Sequence, residues 1–443
     1  MTGSDPSIVA QRLVIVLPST AQFDSRTYRI ASFCAGRGHE VTVLARWAPG
    51  LARDEVDPAG YRIIRVPAEP FGWVPRRLRR RLSHPRPAAD GSAAERGAAS
   101  SPVGRSGISL GRRLQAAIGG TVRLAAIVLT IRAQGRACRA VDPGGDLYHG
   151  MAYMGIPIAR SLARRRRAQV VYDARDIYVD AGNVARLPGP VRRLIGHLER
   201  GWARSADRVV TVNEPYADVM ASRWGLEQPL IVMNCSYRYQ PATPRDRRFH
   251  RVLDLASPTP VVLYQGGFSS ERGIEQLIDA IRLVPGAVLV LMGYGPLENQ
   301  LTRRAADPAL GGRVRILPAV PPADLLDWIA AADIVAMPIQ PSTLNHRLTT
   351  PNKLFEALAA GVPVIASDLP GMASIVLDHG AGVLVDPTDP TAIGAAIARL
   401  LEDSDGRAAM GERALAAAHG PFNWEAQAAR LIAEYGRLTG RPW

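Results

Sequence analysis

Lysine is nearly absent from this chain: of 54 basic residues in 443, all are arginine except Lys353. Cysteine is scarce too. Cys34, Cys138 and Cys235 lie far apart with no C-x-x-C pair, which argues against a disulfide framework or a cysteine-built zinc site and fits a reducing compartment. Long apolar runs are missing. The longest, Leu124 to Ile131, falls well short of the ~20 residues a spanning helix needs. Residues 1–12 are polar, and the first apolar run, Leu13 to Leu17, is too short for a signal segment. No G-x-G-x-x-G follows the first strand, which removes the main signature of a dinucleotide oxidoreductase, and Gly293-Tyr294-Gly295 lacks a third glycine. The arginine clusters carry no interleaved aromatics, so nucleic acid is not the expected partner.

What charge there is sits unevenly. Residues 1–250 hold 39 arginines against 20 Asp and Glu, whereas the remainder hold 15 basic and 20 acidic residues. A codon bias toward arginine would enrich both halves alike. The asymmetry therefore points to an anionic partner for the first half, or to an anionic membrane surface beneath it.

The length suits two domains, and strand–helix alternation in both halves predicts α/β architecture with parallel sheets. The expected division is 1–240, 241–420 and a C-terminal helix in 421–443 that packs back on the first domain. Residues 234–260 read as the linker. Arg76 to Arg81 holds five arginines, and 83–107, mostly Ala, Gly, Ser, Pro and Arg, reads as a disordered insertion. Ser109 to Val141 reads as a helix with arginines around an apolar centre. It is either a domain helix with a solvated basic face or an amphipathic element resting on anionic lipid.

Pro351-Asn352-Lys353-Leu354-Phe355-Glu356 is the most strongly patterned stretch. It reads as a helix start, with Thr349-Thr350 as caps, Pro351 in the first turn and an end at Gly361. Free N–H groups and the macrodipole at such a start attract phosphate. Lys353 adds a full charge, and Glu356 one turn on can accept two hydroxyls. Upstream, Gly266-Gly267 allow close backbone approach to a phosphate, and Arg272 can bind it bidentately. Gly293 and Tyr294 form a further loop, the backbone near Val320 is placed to read a base edge, and Asn345, Asn352 and Leu354 complete the candidate donor set. In the first half, Asp24, Arg26, His149, Arg175 and Asp176 fall at C-terminal strand edges or the helix start beside them, where open α/β sheets bind ligands.

In order and spacing these pieces resemble family 4 nucleotide-sugar glycosyltransferases: Tyr264-Gln265-Gly266-Gly267…Arg272-Gly273, Leu291 to Gly295, Ala332-Asp333, and Pro351 to Glu356 running on to Ala366. The first half matches more faintly, through Asp24-x-Arg26, Gly38 to Val41, Tyr148-His149 and Tyr172-Asp173. The resemblance implies the GT-B fold, two facing Rossmann-like domains across a deep cleft. It also implies retaining transfer of a sugar from a nucleotide diphosphate sugar, with no metal and no other cofactor. Glu356 would hold the donor ribose and Arg272 the diphosphate; Arg272, Lys353 and His149 are the catalytic candidates. The acceptor would be a glycan, glycolipid or small molecule, and the protein cytoplasmic, with peripheral contact at the inner membrane face. Three departures stand out. Leu348 occupies the place of the family's sugar-holding glutamate, Gly266-Gly267 that of a second phosphate-binding arginine, and Arg175 and Met151 stand where relatives often have histidine. The rival readings are glycosylation of a small secondary metabolite, an epimerase on the same fold, and a non-enzymatic basic surface binder.

Overall fold

The computed structural model describes residues 9–69 and 110–443; the arginine run 76–81 and the insertion expected at 83–107 lie outside them. Two sheets form the frame. The first contains β1 (Arg12–Val16), β2 (Glu40–Arg46), β3 (Asp54–Val56), β4 (Arg62–Val66), β5 (Leu147–Met151), β6 (Gln169–Asp173), β7 (Arg208–Thr211) and β8 (Leu230–Ile231), in the order β3-β4-β2-β1-β5-β6-β7-β8. All pairs are parallel except β3 with β4. The second contains β9 (Val261–Gly267), β10 (Val288–Tyr294), β11 (Val314–Leu317), β12 (Ile334–Met337), β13 (Val364–Ser367) and β14 (Gly382–Val385), ordered β11-β10-β9-β12-β13-β14 and wholly parallel. Central strands such as β1 and β9 are apolar on both faces because helices cover both, as parallel sheets require.

Strand order reverses between β1 and β5 in the first sheet and between β9 and β12 in the second. Crevices open at such reversals, beyond the carboxyl ends of the strands. In this chain the two reversals face one another.

The long helix Leu110–Val141 packs its Gln134 and Cys138 into the first domain, and the Gln134 amide donates to Leu17 O at 2.9 Å. Arg123, Arg132, Arg136 and Arg139 are exposed, which favours a domain helix with a solvated basic face. Among the described residues no helix is long and apolar enough to cross a membrane.

The helix Trp424–Thr439 starts at Asn423, whose side chain accepts from Ala426 N at 2.9 Å. It leaves the second domain and buries Trp424, Leu431 and Tyr435 with Trp443 against Leu13, Ile15 and Val43 of the first. Where the chain crosses outward and returns, Trp424 N donates to Ser236 O at 2.7 Å.

Candidate active site

A cavity of about 510 Å³ lies between the domains at the facing crevices. Its second-domain wall is built on the end of β9 and on the helix Asn352–Ala359. That helix begins one residue later than the sequence suggests. Pro351, extended at ψ 147°, is the N-cap and offers no side-chain cap. Thr350 lies outside the helix, and its hydroxyl accepts from Asn213 Nδ2 of the first domain at 3.1 Å. The first turn is thus left without a side-chain acceptor at the end that favours an anion.

Lys353 lines this wall with its ammonium 3.7 Å from the centre of the Tyr264 ring. Gly266, at φ +121°, brings its backbone alongside this ammonium; a Cβ there would lie in ordinary contact, 3.5 Å from Nζ, so it is the backbone conformation that favours glycine. Burial first, and then the like charge of Arg272, bring the amine down to about 7, against the opposing pull of Glu356. Among the described residues Lys353 has no salt-bridge partner, so the simple surface pair with Glu356 that i,i+3 spacing allows is not made. Arg272 is half-buried beside the same cavity. It is presented by the turn that ends at Gly273, where φ is +74° and a Cβ would sit 1.9 Å from Pro338 O; only glycine fits there. Burial pushes the Glu356 carboxyl up, while Arg29, Lys353 and Gln265 favour its ionised form. Gln265 lines the cavity with neither amide atom completing a hydrogen bond. Gly267 and Asn352 also face the cavity, and Asn352 Oδ1 accepts from Asn234 Nδ2 of the first domain at 2.9 Å.

The first-domain wall is different. Asp24 caps the helix Ser25–Gly36 through Thr27 N at 2.9 Å and pairs with Arg175 Nη1 at 2.7 Å. Burial works against the Arg175 charge, but Asp24 outweighs it and raises the guanidinium further. Arg26, 1% exposed, donates from Nε to Asp173 at 2.7 Å and from Nη1 to Val232 O at 2.7 Å. Burial alone would raise Asp173; Arg26 and His149 instead hold it well below the usual carboxylate range. Asp176 lines the cavity and accepts from Asn345 Nδ2 at 3.0 Å.

Several expectations need correction. His149 is fully buried, with Nε2 3.1 Å from Asp173 and Nδ1 2.6 Å from the Tyr435 hydroxyl. One ring nitrogen ties β5 to the Asp173 carboxylate and the other to the C-terminal helix, and the residue does not line the cavity. Asn345 is an interdomain clasp. Its Oδ1 accepts from Ile177 N at 2.8 Å, its Nδ2 is taken by Asp176, and its carbonyl accepts from Tyr216 at 2.7 Å. Leu354 points into the hydrophobic core, and Val320 packs on the edge of that core. Gly293 is required inside the sheet, since a Cβ would meet Gly266 O at 1.9 Å. Tyr294 stands at the mouth, 56% exposed, with its ring 6.3 Å from that of the 83%-exposed Phe23 across the opening. Leu348, which the sequence resemblance set at the family's sugar-holding glutamate, packs against the first domain and its carbonyl accepts from Asn213 at 2.7 Å.

Sequence reasoning missed Arg29. It stands three residues after Arg26 on the same helix, binds Asn234 Oδ1 at 2.8 Å and acts on Glu356 from the opposite domain. The i,i+3 spacing was the available signal. Among the described residues no group of three or more His, Cys, Asp or Glu is placed to hold a metal.

Residues 24–235 match the family model described as "Glycosyl transferase 4-like domain", and residues 246–416 match "Glycosyl transferases group 1". Among curated proteins, the chain is 29% identical over 271 residues to a D-inositol 3-phosphate glycosyltransferase of Xylanimonas cellulosilytica, covering 58% of this chain and 62% of that protein. It is 33% identical over 202 residues to a GDP-mannose-dependent monoacylated alpha-(1-6)-phosphatidylinositol monomannoside mannosyltransferase of Corynebacterium glutamicum, covering 44% and 52%. The chain thus spans less than two-thirds of either relative's length. Among solved structures, sucrose-phosphate synthase from Thermosynechococcus elongatus superposes with a TM-score of 0.70 at 20% identity, over 97% of this chain and 99% of that one. The shared architecture is the GT-B fold.

Proposed function

The chain belongs to the glycosyltransferases, a group 1 domain following a family 4-like domain, and on that premise we propose that it moves a sugar from a nucleoside diphosphate sugar to a hydroxyl acceptor with retention at the anomeric carbon. One observation carries the reading. Among the described residues Lys353, Arg272 and Glu356 line a helix start with no side-chain cap without closing a salt bridge, and Gln265 beside them completes no hydrogen bond. The diphosphate is the ligand that would complete them, with the ribose one turn deeper on Glu356. The acceptor oxygen attacks the anomeric carbon as the bond to the β-phosphate oxygen breaks. The electron pair leaves with the diphosphate, and the acceptor proton passes to a departing phosphate oxygen. Fixed cations and amides meeting that charge in a site that excludes water supply the main catalytic term, and the reaction draws on no further cofactor.

The acceptor is an anionic or lipid-linked glycan precursor presented at the cytoplasmic membrane face. Support comes from the acceptors for which the relatives are named, an inositol phosphate and a phosphatidylinositol mannoside, and from the basic first half. A second reading, an uncharged small molecule, is favoured by one feature: the first-domain wall is charge-balanced and carries the exposed Phe23. A thermal-shift panel of nucleoside diphosphates and their sugars tests the donor, since a ligand at 100 times its Kd stabilises by about 2.7 kcal/mol. Incubation with the stabilising donor alone should give slow hydrolysis; an epimerised sugar would replace the transferase reading. Transfer to lipid-phosphate and neutral acceptors, run side by side, separates the two acceptor classes.

A further inference from the structure

Gln265 stands where the pattern of β9 asks for an apolar side chain. Val261 and Leu263, on the same face of the strand, lie in the core beneath the helix Asn352–Ala359, and a leucine at 265 would extend that row. The side chain is instead an amide, 3% exposed, with Oε1 and Nε2 both buried and unpartnered. Buried polar groups without partners are rare and ask for a reason. The nearest one is Glu356. Gln265 lines the same cavity as Glu356 and favours its ionised form without completing a hydrogen bond, while Arg29 acts on it from the opposite domain and Lys353 from a turn earlier on its own helix. The carboxylate therefore has two cations that can draw it off line and one amide that can hold it in place.

We propose that Gln265 is the positioning residue that makes the site demand a ribonucleotide: its amide N–H fixes the Glu356 carboxylate from below, so that both carboxylate oxygens meet the vicinal ribose hydroxyls. This rests on Glu356 being the ribose ligand. With the carboxylate fixed, a 2′-deoxyribose leaves one buried oxygen unpaired, and sites built to bind a hydroxyl reject analogues that lack it. Without the amide the carboxylate turns toward Arg29 or Lys353, and the missing hydroxyl no longer matters.

Dissociation constants for UDP and 2′-deoxy-UDP, with GDP and 2′-deoxy-GDP as a second pair, are measured by calorimetry on the full chain, the Gln265→Leu and Gln265→Met variants, and Glu356→Ala. The wild-type chain should prefer the ribonucleotide by about tenfold or more. Gln265→Leu or Gln265→Met should bring that ratio to within about twofold with an unchanged melting temperature, mostly by weakening the ribonucleotide. A purely structural role would weaken both nucleotides alike. Undiminished preference in either folded Gln265 variant overturns the inference; if Glu356→Ala loses the preference at the same time, the ribose assignment of Glu356 stands. No preference in the wild-type chain, or a full preference in Glu356→Ala, overturns that assignment and the inference with it.

Discussion

On the first-domain wall of the cavity, Arg26 is matched to Asp173, Asp173 to His149, and Arg175 to Asp24. On the facing wall, Lys353 lies against an aromatic ring and a second cation, and Glu356 has an amide that does not close on it. Both walls sit at carboxyl ends of parallel strands, and both bury ionisable groups. One Nη of Arg26 and one oxygen of Asp173 remain unpartnered, yet the charges there are balanced. Where charges are matched within the chain, the groups hold the fold. Where they are unmatched, at a cost to the folded chain, a ligand of complementary charge gains the most.

The largest effect expected from this contrast is on the matched side. Asp173→Ala leaves the Arg26 charge buried and alone, which should cost about 3–5 kcal/mol in urea unfolding. The double change Arg26→Met with Asp173→Leu should recover most of it. A folded, stable Asp173→Ala protein that has lost only nucleotide binding would break the contrast. On the unmatched side, Lys353→Ala removes a charge-assisted contact worth about 1.5–3 kcal/mol, so kcat/KM should fall roughly 10- to 150-fold while the melting temperature holds or rises. Lys353→Arg should also lose activity, because a guanidinium does not replace a compact ammonium in a tight site.

The pH dependence follows from the same group. Burial and the Arg272 charge bring the Lys353 amine down to about 7, and a bound diphosphate raises it, so the bound state holds more protons above that pH. Nucleotide affinity should therefore fall as pH rises from about 7, by as much as tenfold per unit. Calorimetry in buffers of different ionisation enthalpy should show proton uptake; a flat profile to pH 9 would mean that the amine stays charged without nucleotide. The smallest effect sharpens the contrast. Asn345→Ala frees the buried Ile177 N–H and should cost about 1 kcal/mol of stability while leaving nucleotide affinity within about twofold.

That these residues share one wall was legible because they lie in short contiguous runs: Gly266-Gly267 to Arg272, and Pro351 to Glu356. What the sequence hid were pairings over long separations. His149 meets a tyrosine 286 positions away, and Asn345 meets Ile177 168 positions away. Neither neighbourhood shows in local spacing, and each polar side chain passed for a ligand. Gln265 passed for the end of a buried strand, because burial without a partner leaves no trace in a pattern of apolar residues. The edge strand β3, with Asp54 and Glu55 in three residues, and the helix Ser404–His419, rich in alanine, lack the periodic apolar signal that marked the other elements.

The helix Trp424–Thr439 bears on how the molecule is made. It completes a core founded on β1, so the first domain is assembled from residues on either side of the second. Synthesis runs from β1 onward, and domains fold largely as they emerge. The second domain, uninterrupted in sequence, can therefore finish first, while the surface around Leu13, Ile15 and Val43 stays uncovered until Trp424 and Tyr435 arrive. The nascent chain carries an apolar face through all of that interval. It is during synthesis, more than in the finished fold, that this protein should depend on a chaperone.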